Sequence, residues 1–128
     1  MKDDRLYIHH VLDCIRRIDR YCQDGEEAFR GSELVQDAVL RNLQTLGEST
    51  QRIGDRLRSR HPEIDWRAIA GFRNVLVHDY LGINLERVWE IISVHLPVLR
   101  AQMEAIRREA DPPEGLTSAS GAEQVNDS

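Results

Sequence analysis

The sequence predicts an all-α fold: an antiparallel four-helix bundle with a kinked last helix and a disordered C-terminal tail. Three observations predict it. Apolar residues recur at three- and four-residue intervals in four separate segments, helix-starting and helix-stopping residues bracket those segments, and no strand-like alternation interrupts them. Four amphipathic helices with short connections bury their stripes most simply against one another.

The first segment, Asp3 to Cys22, sets Ile8, Val11, Leu12, Ile15, Ile18 and Cys22 on one helical stripe, with Arg16, Arg17, Asp19 and Arg20 between them. Gln23 to Gly31 breaks the pattern. Ser32 then stands as an N-cap with Glu33 in the first turn, and a longer helix carries Val35, Val39, Leu43, Leu46, Ile53 and Leu57. Polar Thr50 interrupts that line, and His61-Pro62 supplies the stop, because proline disfavours helix at the preceding residue.

Asp65 caps a third, short helix with Trp66, Ile69, Phe72, Leu76 and Val75 on its apolar face, running to about His78. Leu81-Gly82-Ile83-Asn84 reads as a turn, Gly82 being able to adopt a left-handed conformation and Asn84 capping the next helix. That helix carries Leu85, Val88, Trp89, Ile92, Leu96, Leu99, Met103 and Ile106, and Pro97 should kink it or split it in two. Residues 1–110 therefore form one helical domain. Residues 111–128, poor in large apolar groups and rich in helix breakers, read as a disordered acidic tail.

At 128 residues the chain can bury a core without disulfides or a structural metal. Its apolar runs are too short for a membrane span, and its charged N-terminus does not resemble a secretory signal, so a soluble cytoplasmic protein is expected. Cys14 and Cys22, eight residues apart on one helix, are separated by ~12 Å and read as reduced thiols. His9, His10, His61 and His95 have no metal-ligand spacing and read as structural or exposed.

The formal charge of −5 argues against an RNA partner only as a sum. The tail holds Asp111, Glu114, Glu123 and Asp127 and no basic residue, so the body sets all 17 basic groups against 18 of the 22 acidic ones. Sixteen of the basic groups are arginine, suited to bidentate phosphate contact, although a GC-rich genome gives the same bias. Arg52, Arg56, Arg58 and Arg60, opposed in that stretch only by Asp55, could guide RNA; a solvated helix face is the alternative. Arg52, Arg56 and Arg67 are the candidate RNA contacts.

The chemistry concentrates in Arg73-Asn74-Val75-Leu76-Val77-His78-Asp79-Tyr80. An arginine neutralises phosphate charge as it develops, and a histidine near its working pKa moves the proton of a 2′-hydroxyl or a leaving group. Taken singly, each residue also has a plain reading as a solvated charge, a helix-end cation or an edge aromatic. On one helix Arg73 and His78 would lie ~140° apart, so a composite site at a two-fold interface is expected.

Arg-x-x-x-x-His-x-Tyr from Arg73 through His78 to Tyr80, with Asn74 directly after the arginine, resembles the signature of HEPN ribonucleases of the HepT type. The likeness extends over about residues 3 to 108. It includes Leu46-Gly47-Glu48-Ser49, Arg60-His61-Pro62-Glu63-Ile64-Asp65-Trp66-Arg67, Leu85-Glu86-Arg87-Val88-Trp89 and Leu96-Pro97. The resemblance implies a HEPN-type bundle acting as a homodimeric toxin that cuts RNA, transfer or messenger, without a metal or cofactor of its own. Arg73 and His78 would be catalytic, with Asn74 and Glu48 in support, Glu48 orienting Arg73 or His78. The implied partner is a minimal nucleotidyltransferase (MNT) antitoxin, which uses ATP and Mg2+ to transfer AMP to Tyr80. Asp79 is a neighbour rather than a catalyst. Two other readings stay open: a non-catalytic HEPN module that docks a nucleotidyltransferase, and a helical adaptor in which residues 73 to 80 stabilise a dimer.

Overall fold

A computed structural model describes residues 2–75 and 84–110. Within them the chain runs α1 (Lys2–Tyr21), α2 (Glu26–Arg30), α3 (Glu33–Gln51), α4 (Asp55–Arg60), α5 (Trp66–Ala70), a 3-10 helix (Gly71–Val75), α6 (Leu85–Glu90), a π-helical turn (Ile91–His95) and α7 (Leu96–Ala110). The expected all-α bundle is present, and there is no strand among the described residues. The expected Leu81-Gly82-Ile83 turn and the tail from residue 111 lie outside them.

The core follows the periodicity of the sequence. Ile8, Val11, Ile15 and Ile18 of α1 are fully buried against Val39, Leu43 and Leu46 of α3 and Leu96, Leu99, Met103 and Ile106 of α7. α1 packs on both α3 and α7, and α3 also packs on α5 and the 3-10 helix. Polar contacts at the ends give the directions. The Gly54 backbone N–H donates to Asp4 Oδ1 at 2.8 Å, tying the end of α3 to the start of α1. Arg100 pairs with Asp19, setting the first turns of α7 beside the end of α1. Both long neighbours of α1 are thus antiparallel to it.

Four features depart from the periodicity. The helix expected to continue to His61 ends at Gln51, and α4 starts afresh at Asp55. Its cause is tertiary: Ile53 turns into the core, and Gly54, extended at φ −69 and ψ 157, gives its N–H to Asp4 rather than to a helical carbonyl. The stretch expected as irregular holds the short α2. It starts after Gly25, whose φ of +96 is a conformation that favours glycine. Phe29 anchors it, buried with its ring centroid 5.4 Å from that of Trp89. The third helix becomes 3-10 at Gly71, so Arg73 stands on a 3-10 turn, and the expected continuation to His78 lies outside the described residues.

Around Pro97 the helix neither splits nor stops. A regular α-helix would bring the proline ring against the carbonyl of Ser93. Here Ser93 lies inside a wider π-helical turn, its hydroxyl donating to the Trp89 carbonyl at 2.8 Å, and α7 follows directly.

Buried polar groups are satisfied locally. Thr50, buried in the apolar line of α3, donates its hydroxyl to the Gly47 carbonyl at 2.8 Å. Gln36 donates its amide to the Phe29 and Arg30 carbonyls, both at 3.0 Å, closing the open end of α2. Cys14 is buried and Cys22 half-buried, both free, and burial pushes both thiols upward, Cys22 to about 11.

Replacing Gln36 with leucine keeps the volume but strands the two α2 carbonyls. The substitution should cost about 1–3 kcal/mol in urea unfolding, the range for a buried group left unpaired. A loss below ~0.5 kcal/mol would mean that the amide does not hold α2 in place.

Candidate active site

The segment bearing the motif arginine is built from both ends. Upstream, the Asp65 carboxylate accepts from the Ala68 N–H at 3.1 Å, capping α5 as expected, and the Trp66 indole N–H donates to the His61 carbonyl at 3.0 Å. Downstream, Ile69 and Phe72 are buried, with the Phe72 ring centroid 6.2 Å from that of His95 in the π-helical turn. These anchors aim the next residue, Arg73, along α3.

Gly47 decides how closely the two elements approach. A Cβ there would sit 3.2 Å from the Ala70 carbonyl oxygen and 3.3 Å from the Arg73 Cβ, tighter than ordinary van der Waals contact. The narrow 3-10 backbone lies against a helix face with no side chain. One turn on from Gly47, Gln51 Oε1 accepts a 2.8 Å hydrogen bond from Arg73 Nη1. Arg73, half-buried as a residue, is therefore held at its root by backbone packing and at its tip by an amide. A neutral amide fixes the orientation of the cation without itself neutralising it.

The remaining candidate residues distribute as follows. Asn74 follows Arg73 on the 3-10 helix and is exposed. His78, Asp79 and Tyr80 lie outside the described residues. Glu48 is exposed on α3, in an open groove with Asp37, Leu40, Arg41, Gln44 and Thr45, and the residue bonded to Arg73 is Gln51. Among the described residues the side chain bonded to Arg73 is thus Gln51, while Glu48, next to Gly47, faces the open groove. Gln51 is the residue missed in the sequence; its position four after Gly47 was the available signal.

The arginines do not form one patch. The Arg52 guanidinium lies 6.0 Å from the centroid of the Tyr7 ring, within cation–π range. Arg58 pairs with Asp55, and Arg60 approaches Glu109 of α7 at 3.8 Å. Arg56 and Arg67 are exposed and have no ion pair among the described residues. Arg67 lines a cleft with Arg58, Trp66 and Gln51. No three His, Cys, Asp or Glu side chains among the described residues come together as a metal-ligand group, and no described helix is long and apolar enough to cross a membrane.

A cation fixed next to a run containing imidazole and phenol groups suits binding and displacement at a phosphate. Comparison with known proteins points the same way. The profile of the family described as ribonuclease HepT-like matches residues 11–106. A protein of Caldanaerobacter subterraneus subsp. tengcongensis is 33% identical over 83% of this chain and 96% of its own length. One of Methanocaldococcus jannaschii is 32% identical over 86% of this chain. The first is named "Putative RNase"; the second carries that name joined to gamma-glutamylcyclotransferase, and this chain spans 50% of its length. The "Probable ribonuclease HepT" of Thermococcus cleftensis is 29% identical over 80% of this chain and 94% of its own. No solved structure matches significantly.

Substitution of Gly47 tests the contact that seats Arg73. Alanine gains about 1 kcal/mol of helix propensity but must shift the Ala70–Arg73 backbone by a few tenths of an ångström, so the net change should stay within ~1 kcal/mol. Valine or leucine should cost about 1–3 kcal/mol in chemical unfolding, with the helical circular dichroism retained. A leucine variant as stable as the parent would show that the segments do not meet at Gly47.

Proposed function

We propose, from the premise that this chain belongs to the ribonuclease HepT-like family, that it is the RNA-cleaving toxin of a toxin–antitoxin pair, acting as a homodimer. The observation that carries the reading is the continuity of the match. It takes in the Arg73 held by Gly47 and Gln51 together with the whole motif through His78 to Tyr80. Ribonuclease names among the relatives support the substrate class.

In this reading the Arg73 guanidinium binds the scissile phosphate and neutralises the charge that builds on it. The His78 imidazole accepts the proton of the attacking 2′-hydroxyl or donates one to the leaving oxygen. Asn74, exposed beside Arg73, adds a hydrogen bond to the same phosphate, and Glu48 supports the site by orienting Arg73 or His78. Arginine supplies the positive charge, so the reaction proceeds without a metal. Two copies packed through this segment bring two Arg-His sets to one groove.

Regulation follows from the same chemistry. An MNT antitoxin, using ATP and Mg2+, lets the Tyr80 phenol oxygen attack the α-phosphorus; pyrophosphate leaves, and AMP remains on the tyrosine. The added phosphate brings negative charge and bulk to the place where the substrate phosphate must bind, which silences the nuclease.

The purified dimer should degrade RNA in the presence of EDTA, and His78→Ala should abolish cleavage while leaving the helical fold intact. Cleavage should titrate within about a unit or two of ~6.5, the ordinary histidine value. An RNA ladder left unaltered by the parent protein would favour a docking module without activity. Co-expression with the antitoxin should raise the mass of the chain by whole AMP units. Tyr80→Phe should stay unmodified, and modification persisting in that variant would overturn the assignment of Tyr80.

A further inference from the structure

A cleft of about 520 Å3 opens between α4 and α5, lined by Gln51, Asp55, Arg58, Trp66, Arg67 and Ala70. Two arginines face one carboxylate there. Arg58 is held by Asp55, whereas Arg67 is exposed and has no ion pair among the described residues.

Trp66 gives the cleft a second chemistry. Its indole is half-buried against the core, and its N–H is already committed to the His61 carbonyl at 3.0 Å. The ring is thus fixed in place with its donor used, leaving aromatic surface as its contribution to a ligand. A ring beside guanidinium groups matches one nucleotide of a single strand: a base stacks on the aromatic surface and the phosphate meets the cations. A paired base cannot splay into such a cleft.

The wall also connects the cleft to Arg73. Gln51, which accepts from the Arg73 guanidinium at 2.8 Å, lines it, and so does Ala70, whose carbonyl lies over Gly47. We infer that the α4–α5 cleft is a subsite for one unpaired RNA nucleotide flanking the phosphate at Arg73, with its base against Trp66 and its phosphate on Arg67. The inference rests on the reading of the chain as an RNA-cleaving protein and adds a determinant of substrate class: the strand beside the cut must be unpaired.

The test uses the full-length His78→Ala chain, 15N-labelled so that the two tryptophan indole N–H signals can be followed. It is titrated with a single-stranded octaribonucleotide and, separately, with a blunt RNA duplex. The single strand should shift the Trp66 signal and spare that of Trp89, which packs against Phe29. The exposed Arg67→Glu substitution, checked for fold by circular dichroism, should weaken binding at least tenfold. Trp66→Phe should retain most of it, because phenylalanine still stacks. A Trp66 signal unmoved at saturating RNA, Arg67→Glu binding as tightly as the parent, or a duplex shifting Trp66 as strongly as the single strand would each overturn the subsite. The two readings fail separately. Binding in the cleft by a chain whose unmutated form leaves RNA intact would sink the nuclease and keep the subsite; RNA cleavage with Trp66 undisturbed would do the reverse.

Discussion

The contact between Gly47 and the Ala70–Arg73 backbone is the constraint on which the candidate site depends. With only a hydrogen where a Cβ would meet the Ala70 carbonyl at 3.2 Å, α3 and the 3-10 helix approach backbone to backbone. That separation places Gln51, one turn further along α3, within 2.8 Å of the Arg73 guanidinium. A larger residue at position 47 would move the arginine root, and the amide at 51 could no longer reach its tip. Buried Ile69 and Phe72 press the same segment onto the core from the other side, so the arginine is held by packing on both flanks.

The rest of the bundle keeps that contact in register. α1 lies between α3 and α7, and the hydrogen bond from the Gly54 N–H to Asp4 ends α3 at the point where α4 can turn back toward α5. The cleft beside Arg73 exists because of this break: a helix continuing straight past Gln51 would carry Arg58 away from Arg67. Further along the chain, the π-helical turn before Pro97 keeps α6 and α7 in line. It also sets His95 against Phe72. Both irregularities are local departures from α-geometry that serve the position of the 3-10 helix.

Electrostatics follows position more than total charge. The chain carries a net −5, yet individual arginines meet different fates. Asp55 pairs with Arg58 three residues on in α4, while Glu109 approaches Arg60 and the Tyr7 ring takes Arg52 through elements that fold into contact. Among the described residues Arg73 is held by a neutral amide. That amide sets its orientation without itself cancelling the charge, which suits a phosphate-binding cation.

Periodicity and capping made most of the fold legible in the sequence. The stripes Ile8-Val11-Ile15-Ile18 and Leu96-Leu99-Met103-Ile106 are buried as spaced, and Ser32, Asp65 and Asn84 cap the helices they precede. These features depend on neighbours three or four residues away, so local order is enough to reveal them. The family signature, too, is a matter of residue types in sequence, and it supplied Arg73 and the Gly47 run. What only the tertiary structure decided was every feature set by residues distant in the chain. Asp4 ends α3 from fifty positions away, Gln51 bonds to Arg73 across twenty-two, and Arg67 and Trp66 share a cleft with Arg58. Helical spacing tells which face a side chain occupies, but only packing of one element against another determines what that face meets.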